Sequence, residues 1–101
     1  MMAYYKQYYK PQVMAWIKHF REDKQPRTLQ ESVHYYAVKC AINTTLEMED
    51  GADRMRLIEM CYFKKKKSII GAAMEIGVSE RKAYSWCSDF AKIVEEKAGY
   101  R

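Results

Sequence analysis

Residues 68–86 read SIIGAAMEIGVSERKAYSW and follow directly on four consecutive lysines, Lys64 to Lys67. Ser68 is of a type that caps a helix, its hydroxyl accepting a backbone N–H of the first turn. A short helix starting there ends near Ile76, where Gly77 supplies the positive φ that helix C-termini favour. Val78 plugs the corner, and Ser79 caps a second, longer helix that runs to Gly99. Two helices joined by a short turn containing Gly predict a helix-turn-helix.

The spacing inside the unit says more than the turn. A small residue is needed midway along the first helix, where the second crosses closely, and Ala73 stands four residues before Gly77. Ala72, Ile76 and Val78 frame the corner with apolar groups. Ala83, Trp86, Phe90, Ile93 and Val94 recur at i, i+3, i+7, i+10, i+11 and give the second helix a face to bury. Glu80, Arg81, Tyr84, Ser85 and Ser88 are left on the outer face, with Lys82 at its flank. An ordinary helical hairpin needs the apolar positions but not the combination of Gly77, Ala73 and a polar outer face. The pattern therefore predicts a DNA-binding unit. Gly71, inside the first helix, costs ~1 kcal/mol relative to Ala; either it admits a close neighbour or it weakens the element.

Roles follow from that docking mode, in which the second helix enters the major groove and the first crosses the backbone. Arg81 has the geometry for a bidentate bond to guanine O6 and N7. Tyr84, Ser85 and Ser88, one and two turns on, reach bases or phosphates. Glu80 either accepts from cytosine N4 or simply favours the helix dipole. Lys64, Lys65, Lys66 and Lys67, with Ser68, stand at the entry to the first helix, where they meet phosphates unless they are only a solvated surface.

Outward from this unit the chain is helical throughout. Pro11 suits a first helical turn, and Val13, Trp16, Ile17 and Phe20 form one stripe. Pro26 prevents continuation. Thr28 and Glu31 read as a capping box, each side chain satisfying the other's backbone N–H. Leu29, Val33, Tyr36, Ala37 and Cys40 predict the buried stripe of a second helix. NTTLEMEDG, residues 43–51, reads as an acidic connector. Asp50 or Asp53 starts a third helix with Met55, Ile58, Cys61 and Tyr62 on one side. No strand alternation or hairpin dipeptide occurs. The expected fold is all-α: a small helical domain over residues 1–101, with an N-terminal helical part to residue 50 and a C-terminal helix-turn-helix part from residue 51. The opening MMAYYKQYYK can stack on bases, cover a partner, or pack its rings on the domain.

Composition fits. With 101 residues, 49% hydrophobic and 14% aromatic, the chain can bury a modest core. Formal charge is +5, with nine Lys/Arg against five Asp/Glu from Lys64 onward and nine against eight before it. That asymmetry points to a polyanion or to a solvated basic face. Cys40, Cys61 and Cys87 stand among apolar neighbours and read as buried, reduced thiols. His19 and His34 have no partners at metal-ligand spacing, so neither metal nor cofactor is expected. No apolar run approaches the ~18 residues of a membrane span, which sets the expectation of a cytoplasmic protein without a membrane partner.

From Asp53 to Tyr100 the order of features is an apolar helix closing on Tyr62-Phe63-Lys64, a short helix, Gly77-Val78-Ser79-Glu80-Arg81, and a Trp-containing helix ending near Gly99-Tyr100. This half resembles the carboxyl-terminal part of the RinA/ArpU-type late-gene transcriptional activators of bacteriophages infecting Gram-positive bacteria. Gly71-Ala72-Ala73 departs from that pattern. The family's helix-turn-helix is similar to the promoter-reading fourth region of sigma factors. The resemblance implies a phage- or prophage-encoded regulator of transcription acting in the bacterial host cell, with residues 79–98 as recognition helix.

Double-stranded DNA is the expected partner, with RNA polymerase and a second copy of the chain as further candidates. Two alternatives stay open: a DNA-recognition subunit of phage packaging, akin to small terminase subunits, and a helical protein-interaction module contacting RNA polymerase. No nucleophile–base signature or phosphate-cradling Gly-rich loop is present, so an enzyme is not expected.

Overall fold

In the computed structural model, which describes residues 11–99, every regular element is a helix. The order is α1 (Pro11–His19), α2 (Leu29–Leu46), α3 (Gly51–Ile58), α4 (Ile69–Ile76) and α5 (Glu80–Lys97). A π-helical turn, Glu59–Phe63, continues α3. No strand occurs among the described residues, and none of their helices is long and apolar enough to cross a membrane. The opening MMAYYKQYYK lies outside the described residues.

Each half contributes to one core. α2 lies along α5, and α1 and α3 also pack on α5, which is thereby the central element. Val13 and Ile17 from α1 and Leu57 and Ile58 from α3 are almost fully buried, as are Phe90 and Val94 from α5. Burying such side chains contributes about 1.5–3 kcal/mol each. A chain of rings runs through this core: Phe20 lies 5.2 Å from Tyr35 and 5.4 Å from Phe63, which meets Phe90 at 6.4 Å.

Three expectations need correction. The buried side of α2 is Tyr35, Ala37, Val38, Ala41 and Thr45, whereas Leu29, Val33, Tyr36 and Cys40 are exposed. The cause is that α2 is apolar on both sides, so a helical stripe can be drawn along either. Tertiary contacts decide: Phe20 packs on Tyr35, Trp16 stacks on His34 at 3.8 Å, and the Tyr35 hydroxyl donates to Glu22 O at 3.2 Å. Cys40 is accordingly not a buried thiol; Cys61 is half-buried, with burial pushing its pKa up, and Cys87 is buried. Lastly, residues 43–46 belong to α2 rather than to a connector, because Thr45 is drawn into the core and the turn is confined to residues 47–50.

The caps follow the sequence with one shift. Thr28 Oγ1 accepts from Glu31 N–H at 3.0 Å. The Glu31 carboxylate accepts from Arg27 N–H at 2.8 Å, one residue before the Thr28 N–H that a capping box would engage. α3 starts after Asp50, whose side chain makes no cap bond. Met55, Ile58 and Tyr62 are buried as the spacing predicts, and Leu57 joins them.

Candidate nucleic-acid interface

The segment from Lys64 to Ser88 is built from local hydrogen bonds. Lys64 N–H donates to Glu59 O at 2.8 Å and closes the π-helical turn. Lys65 takes φ 55°, turning the chain so that Lys66 and Lys67 N–H both donate to Met60 O. The lysine run is thus a folded loop, and all four side chains are exposed. Lys67 Nζ reaches Glu75 Oε1 at 3.1 Å, which offsets its charge in part.

Ser68 Oγ accepts from Gly71 N–H at 3.0 Å and starts α4. At the other end Gly77 has φ 93°, its N–H donates to Ala73 O at 2.8 Å, and Val78 N–H donates to the same oxygen at 3.0 Å. The Val78 bond is the 6→1 bond of a Schellman ending and the Gly77 bond the 5→1 bond of an αL ending, and both need the left-handed residue that Gly77 provides. Ser79 Oγ accepts from Lys82 N–H at 3.1 Å and starts α5. Ala72, Ala73 and Ala83 are buried to within 1%, and small residues of this kind allow two contacting helices to approach closely.

Burial divides α5 as its spacing predicts. Ala83, Trp86, Phe90 and Val94 are buried, joined by Cys87 and Ala91, while Ile93 is half-buried. Arg81, Lys82 and Ser85 are exposed; Glu80, Tyr84 and Ser88 are half-buried. Arg81 makes no ion pair with any described residue. Lys82 Nζ lies 5.9 Å from the Trp86 ring, on the flank of the outer face. Cations therefore stand at both capped N-termini, whose unpaired N–H groups and dipoles favour anions.

The sequence-predicted residues form two clusters rather than one. Lys64 to Ser68 lie at the start of α4 and Ser79 to Lys82 at the start of α5. The eight residues of α4, about 12 Å of helix, run from the first cluster toward the second. Ser85 and Ser88 extend the second cluster along α5.

One residue that sequence reasoning missed is Arg54. Its Nη1 meets Asp89 Oδ2 at 3.2 Å, its Nε donates to Glu49 O at 3.0 Å, and its guanidinium carbon lies 5.5 Å from the Trp86 ring. It ties α3 to the middle of α5 and so fixes how the outer face is presented. The one sequence signal was an arginine beside inward-facing Met55, with nothing to name Asp89 as partner. Elsewhere, His34 stacks on Trp16, and burial lowers its pKa. No three His, Cys, Asp or Glu side chains among the described residues cluster as a metal site would require. The chain matches no protein-family model, no curated protein and no solved structure.

Proposed function

We propose that the chain is a sequence-specific binder of double-stranded DNA that regulates transcription, with the first turns of α5 in the major groove and α4 across the backbone. One observation carries the reading. The α4–α5 unit has both helix N-termini capped by serine, buried alanines on both helices, and an outer side on which Arg81, Lys82 and Ser85 are exposed and Arg81 forms no ion pair with a described residue. That combination suits the docking of a helix-turn-helix on DNA.

Arg81 is the base-reading residue, bidentate to guanine, with Tyr84, Ser85 and Ser88 on neighbouring bases or phosphates. Glu80 sits in the first turn of α5, where it favours the dipole and can accept from cytosine. Ser68 and Ser79 accept from their own helices, so each retains its hydroxyl proton to donate to a phosphate. Lys64, Lys65, Lys66 and Lys82 contact phosphates; Lys67 contributes less because Glu75 holds it. A phage or prophage origin rests on the family resemblance alone.

Selection of bound sequences from a random DNA pool, followed by salt titration, tests the reading. Arg81→Ala should lose about 1–3 kcal/mol of discrimination between the selected site and random DNA. Replacing Lys64, Lys65 and Lys66 by Gln should weaken both DNAs equally and flatten the slope of log K against log salt by up to ~2.7. An unaltered ratio for Arg81→Ala overturns the base-reading role. Failure to select any sequence overturns sequence-specific binding.

A further inference from the structure

α2 is apolar on two opposite sides. One side is buried in the core, and the other carries Leu29, Val33, Tyr36 and Cys40 at i, i+4, i+7, i+11, open to solvent. Leu29 is 84% exposed, Tyr36 51% and Val33 44%. Polar residues, among them Gln30, Glu31 and Lys39, separate the two apolar sides, and only the inner side is covered by the described elements. The outer side is also poor in charge. Of the two charged residues between Leu29 and Asn43, Glu31 bends back to accept from Arg27 N–H and Lys39 lies 5.7 Å from the ring of Tyr35. Depletion of charge around exposed aromatic and aliphatic groups is the compositional mark of an interface core.

We propose that this side of α2 is a self-association surface on which two copies of the chain pair with their α2 helices antiparallel. The spacing of 4, 3 and 4 residues is that of a helix-pairing seam, and it reads the same from either end. A two-fold axis crossing the middle of the helix therefore sets Val33 against the partner's Tyr36 and Leu29 against the partner's Cys40. Large meets small at every level, as close packing requires. A parallel pairing would oppose Tyr36 to the partner's Tyr36 and leave gaps at Val33. With Cys40 and Asn43, the seam offers about 450 Å² per copy, or about 900 Å² for the pair, which belongs to the weak, concentration-dependent class of interface. The pairing depends on α2 alone and stands or falls independently of DNA binding.

The test uses the full chain without DNA. Analytical ultracentrifugation from about 1 to about 500 µM should show a monomer–dimer equilibrium. Leu29→Lys with Tyr36→Lys should weaken it roughly 100-fold, each charge entering the interface twice. Both side chains are exposed, so the thermal melt should stay near that of the wild type. Orientation is read separately: Leu29→Cys should give a disulfide-linked dimer through the native Cys40 on mild oxidation, and the wild type should not. A wild type that remains monomeric over that range, or a double variant that associates as well as the wild type, overturns the proposal and leaves the face to another protein. Cross-linking of the wild type through Cys40 alone overturns the antiparallel order.

Discussion

Two of the tight helix connections, α2 to α3 and α4 to α5, each rely on a glycine, for opposite reasons. Gly77 adopts φ 93°, and a Cβ built there would meet nothing within 4 Å. It is required for its backbone conformation. Gly51 has no unusual φ, yet a Cβ there would press on Leu46 O and lie 2.6 Å from Thr45 O. It is required because α3 begins hard against the end of α2. At that junction Asp50 takes the left-handed conformation, at φ 61°, and its side chain caps nothing. At the other corner Gly77 and Val78 N–H close α4 on Ala73 O, and the Ser79 hydroxyl caps α5. The α4–α5 corner is thus specified by local bonds that can form at the surface. The α2–α3 junction is specified by close packing in the interior.

The largest expected effect tests that contrast directly. Gly51→Ala places a methyl against two carbonyl oxygens of the backbone, which cannot rotate away. It should destabilise the fold by about 3 kcal/mol, outweighing the gain in helix propensity. Gly77→Ala should cost less, about 1–2 kcal/mol, because only the backbone conformation is strained. Gly77→Asn should cost less still, since Asn tolerates that region. Urea denaturation followed by circular dichroism measures all three. If Gly77→Ala proves the more damaging of the two alanines, space does not govern the α2–α3 junction and the contrast fails.

The same contrast accounts for what the sequence revealed. Ser68, Gly77 and Ser79 act on residues within five positions of themselves, so their types and spacing carried the corner almost completely. The division of α5 was legible too, because one side of it is polar. α2 was not, since Val33 and Val38 are equally apolar and only contacts remote in sequence, from α5 and from Phe20 and Trp16, select which is buried. Gly51 was opaque for a related reason: nothing in residues 43–51 announces that two helix ends touch. The π-helical turn at Glu59–Phe63 leaves no mark in the pattern, and the pairing of Arg54 with Asp89 spans 35 positions. In the candidate interface, what the sequence missed is how α5 is held.

A smaller effect sharpens the claim of local control. Ser79→Ala removes the acceptor for Lys82 N–H and should cost about 1 kcal/mol. Its signature is faster hydrogen exchange confined to the first turn of α5. Asp50→Asn, at a position with no side-chain cap bond, should change stability by less than about 0.5 kcal/mol. Equal losses at both positions would mean that the hydroxyl bond at Ser79 contributes nothing.

The last effect, opposite in sign, concerns the one described glycine with neither duty. Gly71 lies in the first turn of α4 with an ordinary φ, and its nearest neighbours to a built Cβ are Ser68 Oγ at 3.4 Å and Lys67 Cβ at 3.9 Å, both side-chain atoms. No atom of another described helix lies within 4 Å of that Cβ position. Its sequence-level reading as an opening for a close neighbour therefore fails, and a weakened helix remains. Ala at this position keeps the N–H that Ser68 caps, and reduces the conformational freedom of the unfolded chain. Gly71→Ala should thus stabilise the protein by about 0.5–1 kcal/mol, opposite in sign to both other glycine-to-alanine changes. Denaturation midpoints at unchanged slope measure it. A loss of stability would show that the first turn of α4 is packed more tightly than its neighbours allow, and would place Gly71 with Gly51 among glycines kept for space.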